Sequence, residues 1–351
     1  MEGFRVRGGE RLRGGAAVSA AKNAVLPLLA ASILPRGGMT LRGCPDIRDV
    51  RAMSDILVSL GCRVERSGDD ITVNADTIDR HELPDGLSKQ IRSSIFLLGP
   101  VLAKMRRATV TYPGGCEIGL RPIDLHLSGL RMLGVKIEEA GGMLLCDGGD
   151  MPAGEVYFDY RSVGATENVM MAAVLLPGTT TIHNAAREPE ISDLMHCINA
   201  MGGRVRGAGT HVIEITGVRE LRGAAYTPIP DRIIAGTLLC ACAITGGEIE
   251  LRNVRQDDLV PIVSKLREMG CRAAYRDDRL TLSSPGRLRA FSQIITQPHP
   301  GFPTDMQAQM LAVATVARGT SVITENVFEN RFSHVVDLTK MGASILVSGR
   351  T

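Results

Sequence analysis

Hydrophobic and polar positions along this chain alternate between two kinds of segment. The first kind is almost wholly apolar: KNAVLPLLAASIL (22–34), RSSIFLLGPVLAK (92–104), TENVMMAAVLL (166–176), DRIIAGTLLCACAI (231–244) and TDMQAQMLAVATVA (304–317). A helix apolar on every side must be buried on most of them, so these predict five inner helices. The second kind carries apolar residues on one face only, reaches a glycine, and continues in two short alternating stretches. SDILVSLGCRVERSGDDITV, LHLSGLRMLGVKIEEAGGMLLC, SDLMHCINAMGGRVRGAGTHVIEI, VPIVSKLREMGCRAAYRDDRLTL and VVDLTKMGASILVS share this plan. It predicts an amphipathic helix stopped by a left-handed glycine, then a hairpin. The glycines are Gly61, Gly134, Gly202, Gly270 and Gly342, at spacings of 73, 68, 68 and 72 residues. Between the two kinds lies a turn and a short strand: GGMTLRGC, RRATVTYPG, GTTTIHNA, GGEIELRN and GTSVITEN.

The chain is therefore a repeat of about seventy residues: apolar helix, strand, amphipathic helix, strand, strand. Three apolar helices inside, with sheets and outer helices around them, make one domain. The first three units run to about Ala225, the proline-marked linker YTPIPD (Tyr226–Asp231) follows, and two units come after it. By the internal period about one further unit is absent, which predicts an incomplete second domain.

Composition narrows the function classes. A chain of 351 residues is long for one core, and 44% hydrophobic with 22% charged residues is ordinary for a globular protein. A formal net charge of +2 gives no electrostatic case for nucleic acid or an anionic membrane. Aromatic residues make up only 3%, with no Trp, which weakens base stacking. The eight cysteines form no CxxC pair, against zinc and against a disulfide scaffold. The N-terminal MEGFRVRGGERLRGG lacks the apolar core of a secretory signal, and no apolar run is long enough to span a bilayer. A cytoplasmic globular protein without a zinc site is the expectation.

The candidate chemistry centres on TYPGGCEIGLRPIDLH (Thr111–His126). Two glycines precede Cys116 and predict a loop that presents its thiol, while Arg121 could favour the thiolate or bind an anion beside it. A free cysteine is more often a small apolar filler. That reading is preferred for the other seven, and the polar, glycine-rich surroundings reverse it for Cys116. The inner helices begin with polar residues at matching positions: Lys22 and Asn23, Arg92 and Ser93, Thr166 and Glu167, Asp231 and Arg232, Thr304 and Asp305. Helix starts offer unpaired N–H groups to phosphates and carboxylates. Capping is the favoured reading for Ser93, Asp231 and Thr304, the last opening a Thr-x-x-Gln capping box. Lys22 and Arg92 oppose the helix dipole where they stand, so anion binding is favoured for both. Asp305 is open between a carboxylate stabilised by its helix start and a general base made stronger by desolvation.

Lys22-Asn23, PGGCEIGLRPIDLH, SVGATENVMMAA, NAAREPEISD, PHPGFPTDMQAQ and ITENVFENRF, in this order and at matching intervals, resemble the UDP-N-acetylglucosamine enolpyruvyl transferase family along the whole chain. The resemblance implies an α/β fold, the inside-out α/β barrel of the enolpyruvyl transferases. Two domains would close on substrate, residues 22–229 forming the first and residues 1–21 with 230–351 the second. It implies transfer of the enolpyruvyl group of phosphoenolpyruvate to the 3′-hydroxyl of UDP-N-acetylglucosamine, with release of phosphate and with no metal or organic cofactor, as the first committed step of peptidoglycan synthesis. Cys116 matches the family's proton donor and fosfomycin target, and Asp305 the residue on the sugar 3′-hydroxyl. Lys22, Asn23, Arg121 and Arg331 match phosphoenolpyruvate contacts. Arg92, Arg121, Pro122, Ile123, Asp124, Leu125, Ser162, Val163, Gly164, Asp305 and Val327 match contacts to the nucleotide sugar. A sixth repeat with an Asp-Leu-Arg-Ala segment belongs to the family pattern and does not occur here. Two alternatives follow: a sugar-nucleotide-binding relative without turnover, and a repeat scaffold that self-associates through its incomplete second domain.

Overall fold

The five apolar segments lie in helices, and all five repeat glycines are left-handed, with φ between 78° at Gly134 and 104° at Gly270. Each follows the last turn of an amphipathic helix, where a side chain would meet the backbone clash that glycine avoids. The computed structural model describes residues 6–112 and 123–351. The chain divides into two compact units, Ala20–Ile229 and Met1–Ser19 with Pro230–Thr351.

In the unit Ala20–Ile229, three apolar elements form the interior: Lys22–Ala31, Leu98–Met105 and Val163–Ala173. Leu28, Leu29, Leu98, Val101, Val169 and Met170 are wholly buried there. Three sheets carry the repeat strands. Gly38–Leu41, Arg107–Thr111 and Thr179–His183 each pair antiparallel with the second strand of the hairpin that follows, as at Thr40–Thr72 and Thr109–Leu145. The chain leaving each hairpin then runs parallel beside the strand of the next repeat. Glu82 bridges to Thr109, and Glu155–Tyr157 lies against Thr181–His183. The last, Ala225–Tyr226, returns to Thr40–Leu41 of the first repeat. The connections thus close a cycle of three, and no repeat lacks a neighbour.

The other unit uses the same rule. Its four-stranded sheet contains Glu248–Arg252 and the hairpin Arg272–Arg276/Arg279–Ser283. The parallel neighbour of Glu248–Arg252 is Arg13–Ala17, so the N-terminal strand fills the position that a preceding repeat fills elsewhere. Gln293–Ile295 runs parallel to Val322–Thr324. Leu239, Leu266, Leu280, Phe291 and Met310 make the core of this unit.

Local differences from the sequence pattern have physical causes. The segment 92–104 is a 3-10 helix, Arg92–Leu97, followed by the α-helix Leu98–Met105. The side chain of Asn168 inserts where the α-helical bond from Gly99 N to Ile95 O would lie. Its Nδ2 donates to Ile95 O (2.9 Å) and its Oδ1 accepts from Gly99 N (2.7 Å). A side chain inserted into the backbone ladder is a recognised cause of such breaks. The third inner helix starts at Val163 rather than Thr166. Ser162 is its cap, accepting from Ala165 N, so Thr166 and Glu167 sit inside the helix and are fully buried. Thr304 does not cap, because its hydroxyl is committed to Glu325 Oε2 at 2.9 Å, and no side-chain cap forms at Ser93. Asp231 does cap, accepting from Ile233 N and Ile234 N. Finally, the hairpin expected after Gly342 is absent. The chain turns back instead, Arg350 O accepts from Glu325 N, and Leu346 is 89% exposed.

Candidate functional site

Within Ala20–Ile229 the candidate residues stand at the leading ends of helices, inner ones for Lys22, Arg92 and Ser162 and an outer one for Asp124. Lys22 and Asn23 open the helix Lys22–Ala31, where Ala21 occupies the cap position and provides no side-chain acceptor. Lys22 Nζ lies 3.3 Å from Asp49 Oδ2 in the first turn of Arg48–Ser59. Arg92 is the first residue of its 3-10 helix, which packs against Lys22–Ala31. Asp124 and Leu125 lie in the first turn of Asp124–Met132, directly after Ile123. Ser162 caps the helix in which Val163 and Gly164 form the first turn.

One buried histidine joins three of these ends. His126 Nδ1 lies 2.7 Å from Asn168 Nδ2. An amide nitrogen can only donate, so Nδ1 accepts and the neutral ring carries its proton on Nε2. Burial, with the Arg92 guanidinium nearby, pushes the imidazole down to about 3. Gly164 lies against the same ring: a Cβ there would stand 2.7 Å from His126 Cε1 and 3.0 Å from Phe96 Cε1. The ends carrying Arg92, Asp124 and Val163 are thus locked together by a neutral polar knot.

Deeper in the same helix, Glu167 is fully buried, and neither of its oxygens has a hydrogen-bond partner among the described residues. Burial first, then the Glu190 and Glu188 carboxylates, hold it protonated well above the usual carboxyl range.

Within the unit containing Pro230–Thr351, Asp305 lies in the 3-10 turn Thr304–Met306. Its Oδ1 accepts from Arg331 Nη2 at 2.8 Å, and its side chain is 41% exposed. Arg331 also lies over the Phe328 ring, 5.2 Å from the centroid. Its Nη1 is buried without a hydrogen-bond partner among the described residues. A planar cation held on both flanks suits a phosphate or carboxylate. Val327 lies four residues ahead of Arg331, and its N donates to Glu325 Oε1 at 2.8 Å.

Cys116, Arg121 and Pro122 lie outside the described residues. The seven described cysteines are all buried. Burial pushes the thiols of Cys44 and Cys240 up to about 12 and those of Cys62, Cys146 and Cys242 to about 11, as expected of apolar fillers. Among the described residues no group of three His, Cys, Asp or Glu is placed to hold a metal ion. No helix among them is long and apolar enough to cross a membrane. Sequence reasoning missed His126, Asn168 and Glu325. The available signal was a polar residue inside or beside an apolar run, which predicts a buried group with a dedicated partner.

The sequence model of the EPSP synthase (3-phosphoshikimate 1-carboxyvinyltransferase) family matches residues 6–350. UDP-N-acetylglucosamine 1-carboxyvinyltransferase 2 of Caldanaerobacter subterraneus subsp. tengcongensis is 48% identical over 350 residues, covering all of this chain and 84% of the relative. UDP-N-acetylglucosamine 1-carboxyvinyltransferase 1 of Symbiobacterium thermophilum is 50% identical over 356 residues, covering all of this chain and 80% of the relative. The chain belongs to the UDP-N-acetylglucosamine 1-carboxyvinyltransferase family. Solved structures agree on the fold. The enolpyruvyl transferase NikO from Streptomyces tendae matches with a TM-score of 0.88 at 23% identity, covering 98% of this chain and 82% of that one. EPSP synthase from Acinetobacter baumannii matches with a TM-score of 0.70 at 17% identity, covering 94% and 78%. The family's fold is therefore the mixed α/β fold of the enolpyruvyl transferases, here with apolar helices inside the unit Ala20–Ile229, partly exposed ones in the other unit, and no closed barrel among the described residues.

Proposed function

We propose that this chain transfers the 1-carboxyvinyl group of phosphoenolpyruvate to the 3′-hydroxyl of UDP-N-acetylglucosamine and releases phosphate. The observation that carries this reading is identity of 48% and 50%, across the whole chain, to relatives bearing that activity in their names. The sugar oxygen attacks C2 of phosphoenolpyruvate while C3 gains a proton, and the tetrahedral adduct then loses a C3 proton and phosphate. One acid and one base are required. Cys116 supplies the proton to C3, and Asp305 takes the proton of the 3′-hydroxyl.

The geometry around Asp305 supports its assignment. Arg331 engages Oδ1, which fixes the carboxylate while Oδ2 remains an acceptor, and the side chain is open to solvent and therefore to a ligand. Lys22, Asn23, Arg121 and Arg331 hold the phosphate and carboxylate of the donor. Arg92, Arg121–Leu125, Ser162–Gly164, Asp305 and Val327 hold the nucleotide sugar. On this reading the protein works in the cytoplasm at the first committed step of peptidoglycan synthesis, and fosfomycin alkylates Cys116. No observation favours a binding protein without turnover or a scaffold.

The test is phosphate release on incubation with both substrates. The wild-type chain releases phosphate only when both are present, and Cys116→Ala suppresses it. A folded wild-type chain that releases none overturns the proposal.

A further inference from the structure

We infer that Glu325 is the positioning residue that sets Asp305 and the Val327 backbone in a common frame for the nucleotide sugar. The inference rests on the roles just proposed for Asp305 and Val327.

Glu325 is only 1% exposed, and both its oxygens accept hydrogen bonds. Oε1 accepts from Thr296 Oγ1 at 2.9 Å, Val327 N at 2.8 Å and Phe328 N at 3.0 Å. Oε2 accepts from Thr304 Oγ1 at 2.9 Å. Thr296 Oγ1 in turn accepts from Asn326 N at 2.9 Å. One carboxylate therefore clamps three separate stretches of chain: the end of the strand Gln293–Ile295, the turn that bears Asp305, and the turn 326–328. The last two then meet again on the far side. Thr304 precedes Asp305, Asp305 accepts from Arg331, and Arg331 lies over Phe328, whose amide returns to Glu325. The result is a closed ring of interactions in which the acceptor for the sugar hydroxyl cannot shift without breaking a charge-assisted bond.

The far ends of this ring are what a substrate would meet, whereas Glu325 itself is out of reach. Its effect on turnover must pass through Asp305 and Val327, which is the sense in which it positions. Length matters more than charge here. Glu325→Asp keeps the charge but falls about 1.5 Å short, one carbon–carbon bond, and cannot span Thr304 and the 326–328 amides together. Glu325→Gln keeps the length: its oxygen serves the Oε1 partners, and the Thr304 hydroxyl rotates to accept from its amide nitrogen.

The experiment is steady-state kinetics with phosphoenolpyruvate and UDP-N-acetylglucosamine on the wild type, Glu325→Asp, Glu325→Gln, Thr304→Val, Asp305→Asn and the double variant of Glu325→Asp with Asp305→Asn. Glu325→Asp should lower kcat by about ten- to a hundredfold, Thr304→Val should act in the same direction, and Glu325→Gln should stay within about threefold of wild type. In the Asp305→Asn background Glu325→Asp should lower kcat by less than in the wild type, because the part of its effect that passes through the Asp305 carboxylate is already lost. An equal loss of kcat in both backgrounds, or no loss in the wild-type background, overturns the inference. Amide hydrogen exchange reads the same clamp without substrate: Glu325→Asp should accelerate exchange at Asp305 and Met306 together with Val327 and Phe328. Acceleration at one turn only overturns the inference. A wild type that releases no phosphate removes the functional reading, while the exchange experiment still decides whether Glu325 ties the two turns.

Discussion

Asn168→Ala removes the side chain that stands in for a helical hydrogen bond. In the native chain Asn168 is fully buried and bonds three partners: Ile95 O at 2.9 Å, Gly99 N at 2.7 Å and His126 Nδ1 at 2.7 Å. Ile95 O keeps a second donor, Leu98 N, so it is not orphaned by the substitution. Gly99 N and His126 Nδ1 are. Each buried group left without a partner costs about 1–3 kcal/mol. The truncated side chain also leaves a small cavity between packed helices, whose lining loses contacts it had. Together these give a loss of about 3–5 kcal/mol. Urea unfolding of the wild type and the variant measures it as a shift of midpoint at constant slope. The local account also requires faster amide exchange at Gly99 than in the outer hairpins. A loss below about 1 kcal/mol, with Gly99 still protected, would mean that the ladder closes on itself and that Asn168 does not hold the break open.

Three further outcomes follow from buried polar groups. Glu167 is protonated in the folded chain and ionised in the unfolded chain above its ordinary range, so the folded state binds the extra proton and stability falls as pH rises. Glu167→Gln carries no such dependence: its stability advantage over wild type should grow between pH 5 and pH 8, and a pH-independent difference in midpoint would refute the assignment. His126 behaves oppositely, because its folded value is depressed from 6.5 to about 3. Its contribution is complete above 6.5 and is lost as pH falls toward 3, by a total on the order of 5 kcal/mol, and His126→Gln should flatten that part of the pH–stability curve. Lys104 Nζ donates to Ile33 O at 2.7 Å and Ala75 O at 3.0 Å. Lys104→Met should cost about 2–3 kcal/mol in thermal or urea unfolding, and a neutral result would show that water replaces the ammonium.

The repeat was legible in the sequence because it depends on short-range chemistry. Gly61, Gly134, Gly202, Gly270 and Gly342 mark left-handed helix ends whatever surrounds them, and each was found with positive φ. The unbroken apolar character of KNAVLPLLAASIL marked an interior helix, whereas DRIIAGTLLCACAI is buried on one side only and leaves Ile234 and Ile244 exposed. Capping was legible at Asp231, where the acceptor needs only its own helix, and illegible at Thr304, whose hydroxyl is taken by a residue twenty-one positions away. Thr166 and Glu167 illustrate the same limit. Read as a helix start they look like an anion site, and one turn of extra helix ahead of them turns them into buried groups.

Sequence by itself thus determined the repeated unit, its interior helices and, through motifs at matching intervals, the family. Only the tertiary structure decided how the repeats complete one another. The strand Ala225–Tyr226 returns to the first repeat, and Arg13–Ala17 supplies a parallel neighbour to Glu248–Arg252 more than two hundred residues away. It also decided the knot of His126 with Asn168 and the clamp at Glu325. The reason is that backbone and side-chain polar groups must find partners when buried, yet nothing local to a sequence states which distant segment provides them. Periodicity names the face that leaves water, and folding alone names what that face meets.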